Sequence, residues 1–169
     1  CEKYKSAEIL SVLSSYYSHI PSIITEHGGT IHSFCGDEIV ASFGTPSSRN
    51  DDADESVLTA TSIVESVSIL NETFAENELP EIAIGIGIHY GPVSAAVVGN
   101  DARMEYTLIG SALTAARKLR EACSAAEKDI LVSKGLVEKL REDFTFNKIG
   151  STTLRDTGTT LDFYSPAGE

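Results

Sequence analysis

Basic residues are scarce in this chain: 13 Lys and Arg stand against 25 Asp and Glu, a formal net charge of −12. That balance argues against a broad nucleic-acid or anionic-membrane surface, since both need clustered Lys and Arg. It does not exclude a nucleotide, because a local cation can reverse the field within one site. Cysteine is also sparse. Cys1, Cys35 and Cys123 lack metal-ligand spacing and cannot all pair within one chain, so a reducing, cytoplasmic compartment is the simpler reading. No apolar run approaches the roughly 20 residues of a membrane helix, and no signal peptide is seen. No direct membrane contact is expected of this segment. The chain opens at Cys1 rather than Met, and the expectation is a piece of something longer, with room for a membrane anchor or sensor outside the window.

What is present suits one soluble domain with a full core: 169 residues, 41% hydrophobic and 22% charged. There is no internal repeat, linker or low-complexity segment. From Ser6 to His27, Ile9, Leu10, Leu13, Tyr16, Tyr17, Ile20, Ile23 and Ile24 recur at helical spacing. Pro21 interrupts that pattern, and Gly28-Gly29 ends it. Asp51 or Asp52 caps a second long helix, whose buried side is read as Val57, Leu58, Thr61, Val64, Val67, Ile69 and Leu70. Ile82 to His89 reads as a central strand, Gly91-Pro92 as a turn, and Val93 to Val98 as the returning strand. Tyr106 to Ile109 is short and extended. A third helix covers about Ser111 to Cys123, with Leu113, Ala116 and Leu119 inward. Ile130-Leu131-Val132 is a strand, Leu136 to Leu140 a short helix, Phe144 to Phe146 a strand, and Leu161 to Tyr164 closes the domain. The alternation predicts an α+β sandwich with helices on one sheet.

The densest chemical signal is the stretch Gly28 to Gly44, read as strand, tight turn, strand. Gly36 permits the reversal because glycine tolerates positive φ. Asp37 then sits at a hairpin tip, where a carboxylate can meet a cation and a phosphate. The bland alternative is an ordinary turn aspartate.

Five ordered blocks carry a resemblance. They are Tyr16-Tyr17 with HGGTIHSFCGDEIVASFGTP, then IGIGIHYGPV, GNDARMEYTLIG with the helix after it, ILVS, and LDFYSP. Together they resemble the catalytic domain of class III nucleotidyl cyclases, the adenylyl and guanylyl cyclases. The resemblance implies a ferredoxin-like core sheet with helices packed mainly on one face, spanning residues 1–169 as a single catalytic domain without its first strand. It also implies a site at a dimer interface, formed by a homodimer or with an unlike cyclase half. Two metal ions, Mg²⁺ or Mn²⁺, would help a ribose 3′-hydroxyl attack the α-phosphate of a nucleoside triphosphate, yielding a 3′,5′-cyclic nucleotide and pyrophosphate.

Residue by residue, Asp37 matches the family's second metal aspartate, and the first belongs on a strand before Cys1. Glu38 is not a metal ligand by position and reads as a turn or strand-edge residue. Ser33 falls at the base-selecting position, commonly Lys in adenylyl and Glu in guanylyl cyclases. Its reach is short, so base reading there needs a bridging water; the alternative is a solvent-facing strand serine. Thr107 matches the second base-selecting position and could accept from the adenine amino group, or simply suit a strand. Thr114 replaces an Asn that orients the ribose. Lys118 replaces an Arg that stabilises the transition state, keeping the charge but losing the planar fork. These two lie four apart, on one helix face; Arg117 points about 100° away. Arg103 could hold phosphate or pair with Glu105. His27, His32 and His89 form no metal triad, and His89 reads as structural.

An aspartate kept while the Asn and Arg are lost resembles the metal-donating half of a paired cyclase. The leading reading is a nucleotidyl cyclase with ATP favoured through Thr107. The alternatives are a weak or silent cyclase-like domain that regulates or dimerises, a guanylyl or pyrimidine cyclase, or a GGDEF-type diguanylate cyclase. The last is weakened because Cys35, not Gly, precedes Gly36.

Overall fold

The computed structural model describes residues 4–100, 103–154 and 158–167, with side chains over these ranges except at 97–100 and 103–107. Helix α1 (Ser6–Glu26) leads into the hairpin β1 (Thr30–Cys35) and β2 (Glu38–Ser42). Helix α2 (Asp52–Glu76) follows, then β3 (Ile86–Ile88), β4 (Ser94–Asn100) and β5 (Arg103–Ile109). Helix α3 (Ser111–Ala126), β6 (Ile130–Ser133), α4 (Lys134–Val137), β7 (Phe146–Thr153) and β8 (Thr160–Pro166) complete the order.

The helices start and stop for local reasons. The Lys5 backbone N–H donates to the Glu8 carboxylate at 2.8 Å, closing the first turn of α1. The acidic first turn of α2, with Asp52, Asp54 and Glu55, complements the positive end of its dipole. Helix α1 continues through Pro21 rather than ending there. Asp54 is buried, and its Oδ1 accepts from the backbone N–H groups of Arg141 and Glu142 at 2.9 and 3.0 Å. A buried carboxylate needs such donors.

Strands β3, β6, β8 and β7 form one sheet in that order. The β3–β6 pair is parallel, and the β6–β8 and β8–β7 pairs are antiparallel. The β1–β2 hairpin and the β4–β5 ribbon form two further antiparallel pairs. Helices α1, α2 and α4 lie toward one face of the four-stranded sheet. Val57 and Ala60 of α2 meet Ile130, Val132 and Leu136 there, and Ile20 and Ile24 of α1 meet Ile63 and Val67 of α2. Helix α3 covers the other face, with Ala115, Leu119 and Cys123 on Leu131, Leu161 and Phe163. The glycines of the IGIGI run explain how close α3 comes. A Cβ at Gly87 would collide with the Ala116 carbonyl and the Arg120 amide, so only glycine fits beneath the helix backbone.

Three expectations need correction. The strand from Ile82 to His89 is neither that long nor central: β3 covers Ile86–Ile88 at the edge of its sheet. The Asn71 side chain satisfies the Ile82 backbone instead, donating to its carbonyl at 2.9 Å and accepting from its N–H at 2.8 Å. The strand after Gly91-Pro92 pairs with β5, not with β3. On α2, Thr61 and Ile69 face outward, Ile69 being 64% exposed, while Ala53, Ala60, Ile63 and Phe74 supply buried contacts.

Candidate active site

The β1–β2 hairpin closes as the sequence predicts. Glu38 pairs with Cys35 and Ile39 with Phe34 across the turn, leaving Gly36 and Asp37 at its tip. Gly36 has φ +62°, a left-handed conformation that glycine adopts without steric cost. Asp37 is exposed, and among the described residues its carboxylate makes no hydrogen bond or ion pair.

Aromatic side chains of α1 support the turn. The Tyr17 hydroxyl donates to the Gly36 carbonyl. The Tyr17 ring meets Phe34 edge-on at 5.6 Å and Tyr16 at 5.3 Å. The Tyr16 phenol is pushed up to about 12 by burial first, then by Tyr17 and the Asp37 carboxylate. Tyr16 therefore stays neutral across the physiological range, and it lies within the field of Asp37.

Helix α3 approaches from the other side. Arg117 grips one oxygen of Glu38, with Nε at 3.0 Å and Nη2 at 2.8 Å. Arg120 Nε lies 3.5 Å from the second oxygen. The sequence reading gave Glu38 no such role, and a contact across 79 positions leaves no local signal. Thr114 is exposed one turn before Lys118 on the same helix. Lys118 Nζ pairs with Glu121 at 2.5 Å and holds that carboxyl below its usual range. No hydrogen bond or ion pair joins Asp37 to Thr114 or Lys118 among the described residues.

Ser33 is half-buried in β1 opposite Val40, next to a register shift between Ile31 and Ser33. The backbone of β5, which carries Thr107, approaches β1. The two strands of the expected base-reading positions are thus neighbours. The side chains of Thr107 and Arg103 lie outside the described residues.

The histidines go elsewhere. His27 pairs with Glu55 at 2.7 Å, and His32 Nε2 meets the Ser42 hydroxyl at 2.6 Å. His89 is pushed below its usual value by burial. Among the described residues, no cluster of three His, Cys, Asp or Glu side chains could close around a cation. Asp37 presents a carboxylate, the hard oxygen donor that divalent ions prefer. A cleft of about 490 Å³ lies beside residues 83–85 and the end of α3, lined by Arg120, Glu121 and Cys123, and none of the expected site residues borders it.

Comparison with known proteins places this geometry in context. The model of the adenylate and guanylate cyclase catalytic domain matches residues 1–165. Adenylate cyclase 1 of Rhizobium meliloti is 26% identical over 161 residues, which is 95% of this chain and 24% of that protein. The chain thus spans about a quarter of the length of that curated relative. Among solved structures, the adenylyl cyclase CyaB from P. aeruginosa superposes with a TM-score of 0.89 at 23% identity, covering 99% of this chain and 86% of that one. The guanylyl cyclase Cya2 gives 0.88 at 24% identity, covering 99% and 84%. These two likenesses establish the α+β fold, and they name both base specificities without choosing between them.

Proposed function

Because the chain belongs to the adenylate and guanylate cyclase catalytic domain family, we propose that it converts a nucleoside triphosphate, ATP by preference, to a 3′,5′-cyclic nucleotide and pyrophosphate. The observation that carries this is Asp37: an exposed carboxylate at a glycine-turned hairpin tip, free of protein partners among the described residues. A divalent cation bound there supplies Lewis-acid polarisation and neutralises triphosphate charge. The chain's own part is to hold that carboxylate still. Thr114 offers a hydroxyl toward the ribose, and Lys118 offers positive charge to the phosphates. Ser33 and Thr107, on neighbouring strands, are assigned to base reading, and Arg103 to the phosphates.

Lys118 must leave Glu121 before it can reach a phosphate. In addition, its ammonium is a point charge where a guanidinium would make two parallel bonds. These features support a division of labour in a dimer. This chain gives the cation-holding carboxylate, and a second copy or an unlike cyclase half gives the groups that complete the site. They also favour a second reading, in which the isolated chain is a weak cyclase that serves mainly as a dimerisation partner. No helix of the described residues is long and apolar enough to cross a membrane.

The test is turnover of ATP, GTP, CTP and UTP with Mn²⁺, read as cyclic nucleotide and pyrophosphate together. Cyclisation of ATP above the other three supports the proposal. Cyclisation of GTP alone overturns the base preference, and no product with any triphosphate supports the second reading.

A further inference from the structure

Glu38 stands next to Asp37, yet the two carboxylates live in different surroundings. Asp37 is exposed at the tip, whereas the Glu38 side chain is only 16% exposed and is bound by two guanidinium groups of α3. The Arg117 contacts at 2.8 and 3.0 Å have the geometry of charge-assisted hydrogen bonds. Immediately before Asp37, the Gly36 carbonyl accepts from Tyr17 of α1. The residues on either side of Asp37 are therefore each fastened to a different helix. Little else fixes the tip: Phe34, Cys35, Gly36 and Asp37 are all exposed, and Val40 is the buried residue of the two strands.

We propose that Glu38 is a positioning residue for the cyclase reaction. Its grip on Arg117 and Arg120 holds the Asp37 turn in register with α3, the helix that carries Thr114 and Lys118. The pairing also occupies the Glu38 carboxylate, so it does not compete with Asp37 for a cation. Arg117, adjacent to Lys118 but turned away from it, thereby has a role that the phosphates do not give it. The proposal rests on the cyclase reading for its catalytic consequence, though not for the geometry.

Arg117 is 45% exposed, so the pair contributes modestly to global stability. Small displacements of a catalytic group nevertheless cost large factors in rate. The signature of positioning is thus a local and catalytic effect with little global unfolding.

The experiment compares wild type with Glu38→Ala, Arg117→Gln and the charge-swapped pair Glu38→Arg with Arg117→Glu. Hydrogen exchange at residues 34–39 should speed up roughly tenfold in both single variants while exchange in β6 stays unchanged. The Mn²⁺ concentration for half-maximal turnover should rise about tenfold, with the KM for triphosphate moving far less. The swapped pair should recover most of both effects, as a direct coupling requires. Unchanged exchange at the hairpin, or a turnover increase in Glu38→Ala, overturns the proposal; the increase would mark the contact as inhibitory. If wild type turns over no triphosphate, the cyclase reading fails by itself, and hairpin exchange still decides whether Glu38 holds the turn.

Discussion

Strand β6 and the β1–β2 hairpin lie in the same chain but are held by different physics. Ile130, Leu131, Val132 and Ser133 of β6 are all buried, with α2 on one face and α3 on the other. The hairpin buries Val40 and leaves Phe34 54% exposed. Apolar burial and close packing fix β6, so its position follows from many interchangeable contacts. The hairpin tip depends on a few directional ones: a tyrosine hydroxyl, two arginines and a glycine turn. Stability is concentrated in the sheet, and the candidate chemistry sits where little stability is at stake. Losing one polar contact at the tip should therefore leave the fold intact while displacing Asp37.

The comparison can be broken by truncation. Leu131→Ala should destabilise the protein by about 2–5 kcal/mol, the range for a fully buried leucine. Phe34→Ala should cost under about 1 kcal/mol, since half of that side chain already meets water. Urea unfolding of the two variants gives both values, and equal losses would erase the distinction between sheet and hairpin.

A second prediction concerns α3. If two copies of this chain form the site, Thr114→Asn with Lys118→Arg should raise turnover about tenfold, because the amide reaches further and the guanidinium forms a planar fork. Steady-state rates with Mn²⁺ measure this. No gain would favour an unlike partner or a regulatory role.

The smallest effect is on pH. His32 and His89 are both lowered by burial. Their neutral forms favour the fold, so this contribution is present above the unfolded histidine value of about 6.5. It is lost as pH falls through the lowered folded values, where the unfolded chain holds more protons. Tm should decline between pH 7 and 5, and His89→Gln should flatten that decline. An unchanged slope would show that His89 contributes nothing to it.

Much of this was legible in the sequence because periodicity reports local geometry. The α1 pattern, the Gly36-Asp37 reversal and the Leu119 face of α3 all follow from spacing alone. Ile69 departs from the expected buried side because it lies about 200° around the helix from buried Val67, outside the apolar stripe. The run from Ile82 to Ile84 has strand composition, but whether it pairs depends on a neighbour, and the Asn71 amide takes that place. The Glu38–Arg117 contact was invisible for a different cause: nothing local links positions 79 apart. Asp37 stood out by its turn chemistry, whereas the supporting residues around it emerge only when three elements converge.

The most direct test of the central claim is Mn²⁺-dependent formation of cyclic nucleotide by wild type and Asp37→Ala, measured side by side with their unfolding curves. Loss of the carboxylate should lower turnover on the order of 10³-fold, several kcal/mol of transition-state stabilisation, with the unfolding midpoint nearly unchanged. Equal turnover in the two proteins would contradict the assignment of Asp37 to the cation and, with it, the chemistry proposed for this hairpin.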